Sequence, residues 1–212
     1  MTRSICYAGD MRKRATAPIR AHPYHHGNLR RALLDAALES IAAAGPAALS
    51  LRELARRVGV SHAAPAHHFG DKAGLLTALA TEGYRLLAAT LREAWERTGN
   101  FLDVGVAYVR FSIEHRPYVA VMFRPELYRA GDPALVEARQ AASELLYGPL
   151  RQLARDDPAL DPLRAGLAAW SLAHGFAELW TTGALPPELG DDLEQAARDV
   201  LAYLFRPVPP SG

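Results

Sequence analysis

From Asn28 onward, apolar residues recur at helical spacing. Leu29, Leu33, Ala37 and Ile41 form one stripe and Leu34 and Leu38 widen it, while Arg30, Arg31, Asp35 and Glu39 fall outside. This predicts an amphipathic helix, ended by Gly45-Pro46. Ser50-Leu51-Arg52-Glu53 then reads as a capping box, in which the Ser50 hydroxyl accepts from the Glu53 amide and the Glu53 carboxylate reaches back to the Ser50 amide. A short helix follows with Leu51, Leu54, Ala55 and Val58 on its inner side, broken by Gly59, a residue that tolerates positive φ. Ser61 is expected to cap a third short helix. Pro65 then falls at the end of its first turn, where at most one intrahelical bond is lost. Two short helices about a Gly-centred corner make a helix-turn-helix.

Asp71 is expected to cap a long fourth helix from Lys72 through Leu75, Leu76, Leu79 and Tyr84 toward Trp95. Phe101, Val104, Tyr108, Phe111 and His115 form a further helical stripe, closed by Arg116-Pro117. Residues 118–124 are apolar and aromatic up to Pro125, and helical patterns resume at about 133–155. Residues 162–182 are apolar on two faces: Leu163, Leu167, Trp170 and His174 lie along one, Leu172, Phe176 and Leu179 along another. A helix of that kind is buried or shared with a partner. Leu193, Ala197, Val200 and Leu204 mark a last helix. No strand signal or internal repeat stands out, so the expected fold class is all-α.

Charge changes this picture more than composition does. Of 212 residues half are hydrophobic, enough for a real core, and the net charge is +1. Through Lys72, however, there are 11 basic and 5 acidic residues, against 13 and 18 in the remainder. Such asymmetry points the N-terminal part toward a polyanion; a basic tail that is merely solvated is the other reading. No apolar run reaches eighteen residues and the N-terminus lacks the apolar stretch of a signal peptide, so neither a membrane span nor secretion is expected. Cys6 stands alone and cannot form an internal disulfide, which fits the reducing cytoplasm.

The stretch from Ser50 to Leu76 resembles the DNA-binding domain of the tetracycline-repressor (TetR) family. The resemblance rests on Gly59-Val60-Ser61, His68-Phe69, Asp71-Lys72 and Leu75-Leu76 at that family's spacing. The flank Tyr24-His25-His26-Gly27-Asn28-Leu29 is similar to one branch of the family, whose C-terminal sensing domain carries a Trp followed by His-Gly; Trp170 and His174-Gly175 stand where that motif falls. The resemblance covers roughly 24–205. It implies a flexible basic arm at 1–23, a helix-turn-helix DNA-binding domain at 24–76, a larger helical ligand-sensing and dimerisation domain at 77–206 and a tail at 207–212. It further implies a cytoplasmic bacterial homodimer that sets its third helix into the major groove of a palindromic double-stranded operator, represses transcription and is released by a small-molecule effector. The family usually has Tyr where this sequence has Ala66. That Tyr contacts a phosphate or base, so the departure removes a contact that His67 stands next to.

Toward DNA the expected contacts are Arg52, Ser61, His62, Ala63, Ala64, His67, His68 and Lys72. Alanines can meet thymine methyl groups and His62 a base edge, while Lys72 sits in a first helical turn, a poor place for a cation unless it holds a phosphate there. The expected effector pocket gathers Tyr108, Phe111, Met122, Phe123, Tyr147, Trp170 and His174, because aromatic and Met side chains from several helices are the usual lining of a small-molecule site. It should favour a largely apolar ligand anchored at His174. His25-His26 and His67-His68 lack the partners and spacing of a zinc site, and nothing calls for a metal or a cofactor. Two alternatives remain: a regulator without a small-molecule effector, and an enzyme built on His174 and Glu178, four apart on one helix. No nucleophile motif or phosphate loop supports the latter.

Overall fold

A computed structural model describes residues 26–157 and 159–205, with the backbone alone at 26–28, 204 and 205. The basic arm expected at 1–23, the flank at Tyr24 and His25, and the tail at 207–212 lie outside the described residues. Every regular element described is helical: α1 His26–Ala44, α2 Leu51–Val58, α3 Ala64–Phe69, α4 Lys72–Thr98, α5 Phe101–Glu114, α6 Arg116–Met122, α7 Pro133–Asp156, α8 Pro162–Thr182 and α9 Leu193–Leu201, with 3-10 turns between some of them. The all-α fold is as expected, an N-terminal helix-turn-helix domain followed by a larger helical one. None of the described helices is long and apolar enough to cross a membrane.

The helix-turn-helix is built by its corner residues. Leu33, Leu34, Ala37 and Ile41 of α1 are buried against Leu54 and Ala55 of α2 and Phe69 of α3. Gly59 takes the left-handed conformation (φ 74°, ψ 34°), letting the Val60 amide reach the Ala55 carbonyl at 2.9 Å and the Gly59 amide that of Arg56 at 3.3 Å. This is the paired bonding that ends a helix with a glycine. Only half of the expected capping box forms. Ser50 Oγ accepts from the Glu53 amide at 3.5 Å, but the Glu53 carboxylate is taken by Arg56 at 2.7 and 2.8 Å. Arg56, one turn along the same helix, offers a charged donor that competes with the backbone amide.

The third helix begins later than Ser61 predicts. Ser61 uses its carbonyl, accepting from the Ala64 amide at 3.0 Å, and Ala63 occupies the cap position without a side-chain bond. Pro65 therefore lies at the second helical position, where its missing N–H has no partner to lose, and its ring is buried. At the corner into α4 the backbone passes so close that a Cβ on Gly74 would run into the Phe69 carbonyl oxygen.

From that corner α4 continues unbroken through the boundary expected at 76/77. It packs against α5, α6 and α7; α5 packs against α8 and α9, and α7 against α8. Arg129, just before α7, bonds the N-terminal end of α4 through Asp71 and Thr77, and the far ends of the two helices meet around Trp95 and Leu153. The helices therefore run side by side in the same direction. The last helix is fastened by charge. Arg198 of α9 donates to Asp103 of α5, whose side chain is only 13 % exposed, and holds that carboxyl below the usual range.

Asp103→Asn should cost about 1 kcal/mol, the low end for a charged hydrogen bond because water reaches Arg198. A carboxylate whose folded pKa is depressed stabilises above its unfolded pKa and loses that contribution as pH falls through the folded value. The urea midpoints of wild type and variant should therefore differ at pH 7 and converge well below pH 4.

Candidate functional site

Two surfaces stand along α4, one at its start and one beside its middle. The first is formed by α2, α3 and the start of α4. Arg52, Ser61, His62, Ala63, Ala66 and His67 are all exposed there, and Ala64 is half-buried. Arg56 and Arg57 extend the cationic side, partly offset by Glu53. Two residues grouped with this face by sequence stand differently. His68 is half-buried and turns into a groove with Arg30, Phe69, Arg85 and Arg129; the Arg30 guanidinium lies 5.3 Å from the centre of the Phe69 ring in the same wall. Lys72 Nζ donates to the Ala47 carbonyl at 2.7 Å, tying the start of α4 to the turn after α1. An ammonium carries three donors, so this bond leaves two.

The second surface is internal. A cavity of about 180 Å³ lies between α4, α5, α7 and α8. Of the residues expected there, Tyr108, Phe123, Tyr147 and Trp170 line it. Phe111 and Met122 do not. Phe111 turns to the other side of α5 and stacks on His115 at 4.8 Å, fully buried. Met122 fills the space that Gly83 leaves beside α4, and its carbonyl accepts from Tyr84 at 2.9 Å and Tyr128 at 2.7 Å.

His174 stands behind the wall rather than in it. Trp170 Nε1 donates to Tyr108 Oη at 3.0 Å, and Tyr108 Oη lies 2.8 Å from His174 Nδ1. Indole N–H can only donate, so the phenol accepts from Trp170 and is hydrogen-bonded to His174 Nδ1 as well. Burial pushes the Tyr108 phenol up to about 12, tempered by Trp170, so it is an un-ionised donor at neutral pH. The Phe123 ring closes the cluster at 5.5 Å from Trp170 and 5.1 Å from His174. Glu178 is exposed one turn on. The pair offered for an enzyme is thus a structural histidine and a surface carboxylate.

Comparison with known proteins agrees with this geometry. Residues 33–79 match the model for bacterial regulatory proteins of the tetR family, and residues 101–204 the model for a tetracyclin repressor-like C-terminal domain. The HTH-type transcriptional regulator BetI of Klebsiella pneumoniae is 30% identical over 170 residues, 74% of this chain and 82% of that protein. The chain belongs to the TetR family.

Among solved structures, a protein of unknown function from Rhodococcus sp. RHA1 is 34% identical with a TM-score of 0.72, covering 87% of this chain and 97% of that one. The TetR-like regulator LfrR of Mycobacterium smegmatis, solved in complex with proflavine, shares the fold at 22% identity and a TM-score of 0.59, over 86% and 98% of the two chains. TetR proteins are transcriptional regulators and not enzymes, which sets aside the His174–Glu178 alternative. In this TetR protein the sequence reading missed Tyr84, Phe101, Arg139 and Ser143 of the cavity wall. A signal was there: Arg139, Ala142, Ser143, Leu146 and Tyr147 recur at the spacing of one helix face, a face that carries a cation.

Tyr108→Phe would leave both the Trp170 N–H and His174 Nδ1 without a partner in a partly buried site. It should lower stability by roughly 1–3 kcal/mol, read from urea unfolding at neutral pH.

Proposed function

We propose that this TetR-family regulator binds a palindromic operator in the bacterial cytoplasm as a homodimer, represses the genes beside it, and is released when a small, largely apolar effector enters the cavity between α4, α5, α7 and α8. The observation that carries this reading is that one helix, α4, has Lys72 at the proposed DNA face and Tyr84, Leu87 and Leu91 in the cavity wall. The proposed DNA contacts are Arg52, Ser61, His62, Ala63, Ala64, His67 and Lys72, with His68 as support behind them.

A connection between the two surfaces supports the release step. Glu82 of α4 accepts from Arg31 of α1 and from Tyr118 of α6. The chain leaves α6 through Phe123, which lines the cavity. An effector that displaces Phe123 or Tyr84 moves α6 against α4, and the shared carboxylate carries that movement into α1. The effector acts only through preferring the form that cannot hold DNA. That the related fold of LfrR is found with proflavine supports the capacity of such a bundle to take a small molecule.

The dimer reading rests on α8. Leu163 and Leu167, one turn apart on one face, are 66 % and 50 % exposed, an apolar patch that the single chain leaves uncovered. A second copy about a twofold axis would bury it and form a bundle with α9. Val200 is half-buried against the chain's own core, and the side chain of Leu204 lies outside the described residues, so α8 is the better face to test.

Leu167→Glu should give monomers in sedimentation at micromolar concentration where the wild type is dimeric; a monomeric wild type would overturn the scheme. On a duplex with half-sites about 34–36 Å apart, Arg52→Ala and Lys72→Ala should both weaken binding. Lys72→Ala should also reduce the slope of log affinity against log salt by about 1. An unchanged slope would confine Lys72 to its bond with Ala47. If no compound alters operator binding, a regulator without an effector becomes the better reading.

A further inference from the structure

We propose that the cavity takes a small apolar molecule bearing one carboxylate, bound with its acidic head against Arg139. The inference rests on the reading of this cavity as the effector site and adds the chemistry of the ligand. Arg139 is the one charged side chain among the described residues that line the cavity. It is half-buried on the inner face of α7. No described carboxylate stands within ion-pair distance of Arg139; the arginines at 30, 52, 85, 92, 97, 116 and 155 share that, but none of them lines the cavity. Glu144, the next acid along α7, lies outside the cavity and is taken by Arg151. A guanidinium partly withdrawn from water beside apolar walls lacks a counter-charge, and it presents a planar fork of donors that matches a carboxylate.

The other polar groups agree on where the head sits. Ser143, one turn further along α7, lines the same wall and supplies a hydroxyl donor. Tyr84 and Tyr128 already give their protons to the Met122 carbonyl, and the charge of Arg139 works on both phenols against the rise that burial imposes. Because α4 and α7 run in the same direction, Tyr84 and Arg139 mark one end of the cavity. Leu91 and Leu146, each seven residues on, mark the other with Phe101 and Leu201, about 10 Å away at 1.5 Å per residue. The cavity is therefore cationic at one end and apolar at the other. Its volume is comparable with cavities of about 150 Å³ that accept a single benzene ring, so the body is a ring or a medium-length chain. A cationic ligand of the same size would meet Arg139 with no carboxylate on the wall to offset it.

The test compares octanoate with octanamide and octylammonium on the full-length protein, following binding by tryptophan fluorescence and calorimetry. Octanoate should bind about tenfold or more tightly than octanamide, and octylammonium more weakly than either. Arg139→Gln should bring octanoate down to the affinity of octanamide. Arg139→Lys, which keeps the charge, should retain most of the preference, and matching helical circular dichroism of the two variants would separate a lost charge from a lost fold. Octanamide or octylammonium binding as tightly as octanoate, a preference that survives in Arg139→Gln, or no octanoate binding at millimolar concentration would each overturn the proposal. Operator binding on the same samples distinguishes the two readings. A carboxylate preference with no effect on DNA sinks the effector role and leaves the anion site standing; equal release by octanoate and octanamide does the reverse.

Discussion

Twelve residues of α4 are buried between Leu75 and Ala94, and the apolar ones run through one continuous core that spans both domains. Leu75, Leu76 and Leu79 close the helix-turn-helix against α1, while Leu87, Leu91 and Ala94 close the larger domain. A helix of 27 residues spans about 40 Å; packed on most sides through Tyr84 and along one face from there to Ala94, it is held by both domains. Neither end can rotate or slide without disturbing the packing at the other, because interiors are close-packed and do not deform continuously. The two domains are joined by one unbroken helix, a shared beam.

Polar groups along that beam are used twice, which makes them joints as well as fastenings. The Asp71 carboxylate caps α4 through the Gly74 amide at 2.8 Å and holds Arg129 at 2.9 Å. The Met122 carbonyl, at the end of α6, receives two tyrosine hydroxyls from two different segments. Glu82 receives Arg31 and Tyr118, and burial with that carboxylate as neighbour pushes the Tyr118 phenol up to about 12. Losing the Met122 carbonyl or the Glu82 carboxylate would strand a buried or part-buried tyrosine hydroxyl, which costs more than the lost bond contributed, whereas the exposed Asp71–Arg129 pair contributes little. The Met122 carbonyl and the Glu82 carboxylate are therefore places where two elements are coupled energetically rather than merely adjacent.

Periodicity made the helices legible, and the family's spacing made the helix-turn-helix legible, because both depend on local sequence. What lay beyond reach depended on which of two neighbouring faces turned inward. Tyr108 and Phe111 are one turn apart, yet only Tyr108 meets the cavity; Phe111, rotated by about 60° on the helix, packs against His115 instead. His174 looked like an anchor because an isolated polar residue on an apolar face reads as functional, but Tyr108 and Trp170 had already claimed it. Arg139 was overlooked for the converse reason: one charge in a mixed helix reads as surface until the neighbouring helix is seen to cover it. Capping was also misread where a side chain nearby had a better partner, as Glu53 has in Arg56.

With the DNA contacts proposed above, the balance between charge and base readout would be set by α3. Ala66 and His67 are exposed on it, with His62 and Ala63 exposed in the turn before it, and Ala66 stands where the sequence resemblance expects Tyr. Small side chains let the backbone approach closely but give few directed bonds to base edges. The cations lie instead on α2 and at the start of α4. Arg56 is already paired, but with both partners exposed that pair is worth little, so a phosphate can draw Arg56 from Glu53 at small cost. Affinity on this reading comes chiefly from Arg52, Arg56, Arg57 and Lys72 meeting the backbone, and discrimination from two histidines. On the function proposed above, such an interface would be strongly salt-dependent, and a shift of α1 and α4 would carry the cations out of register with the phosphates. A reader held mainly by positioned charge needs only a small displacement to let go, which is what a shared beam can deliver.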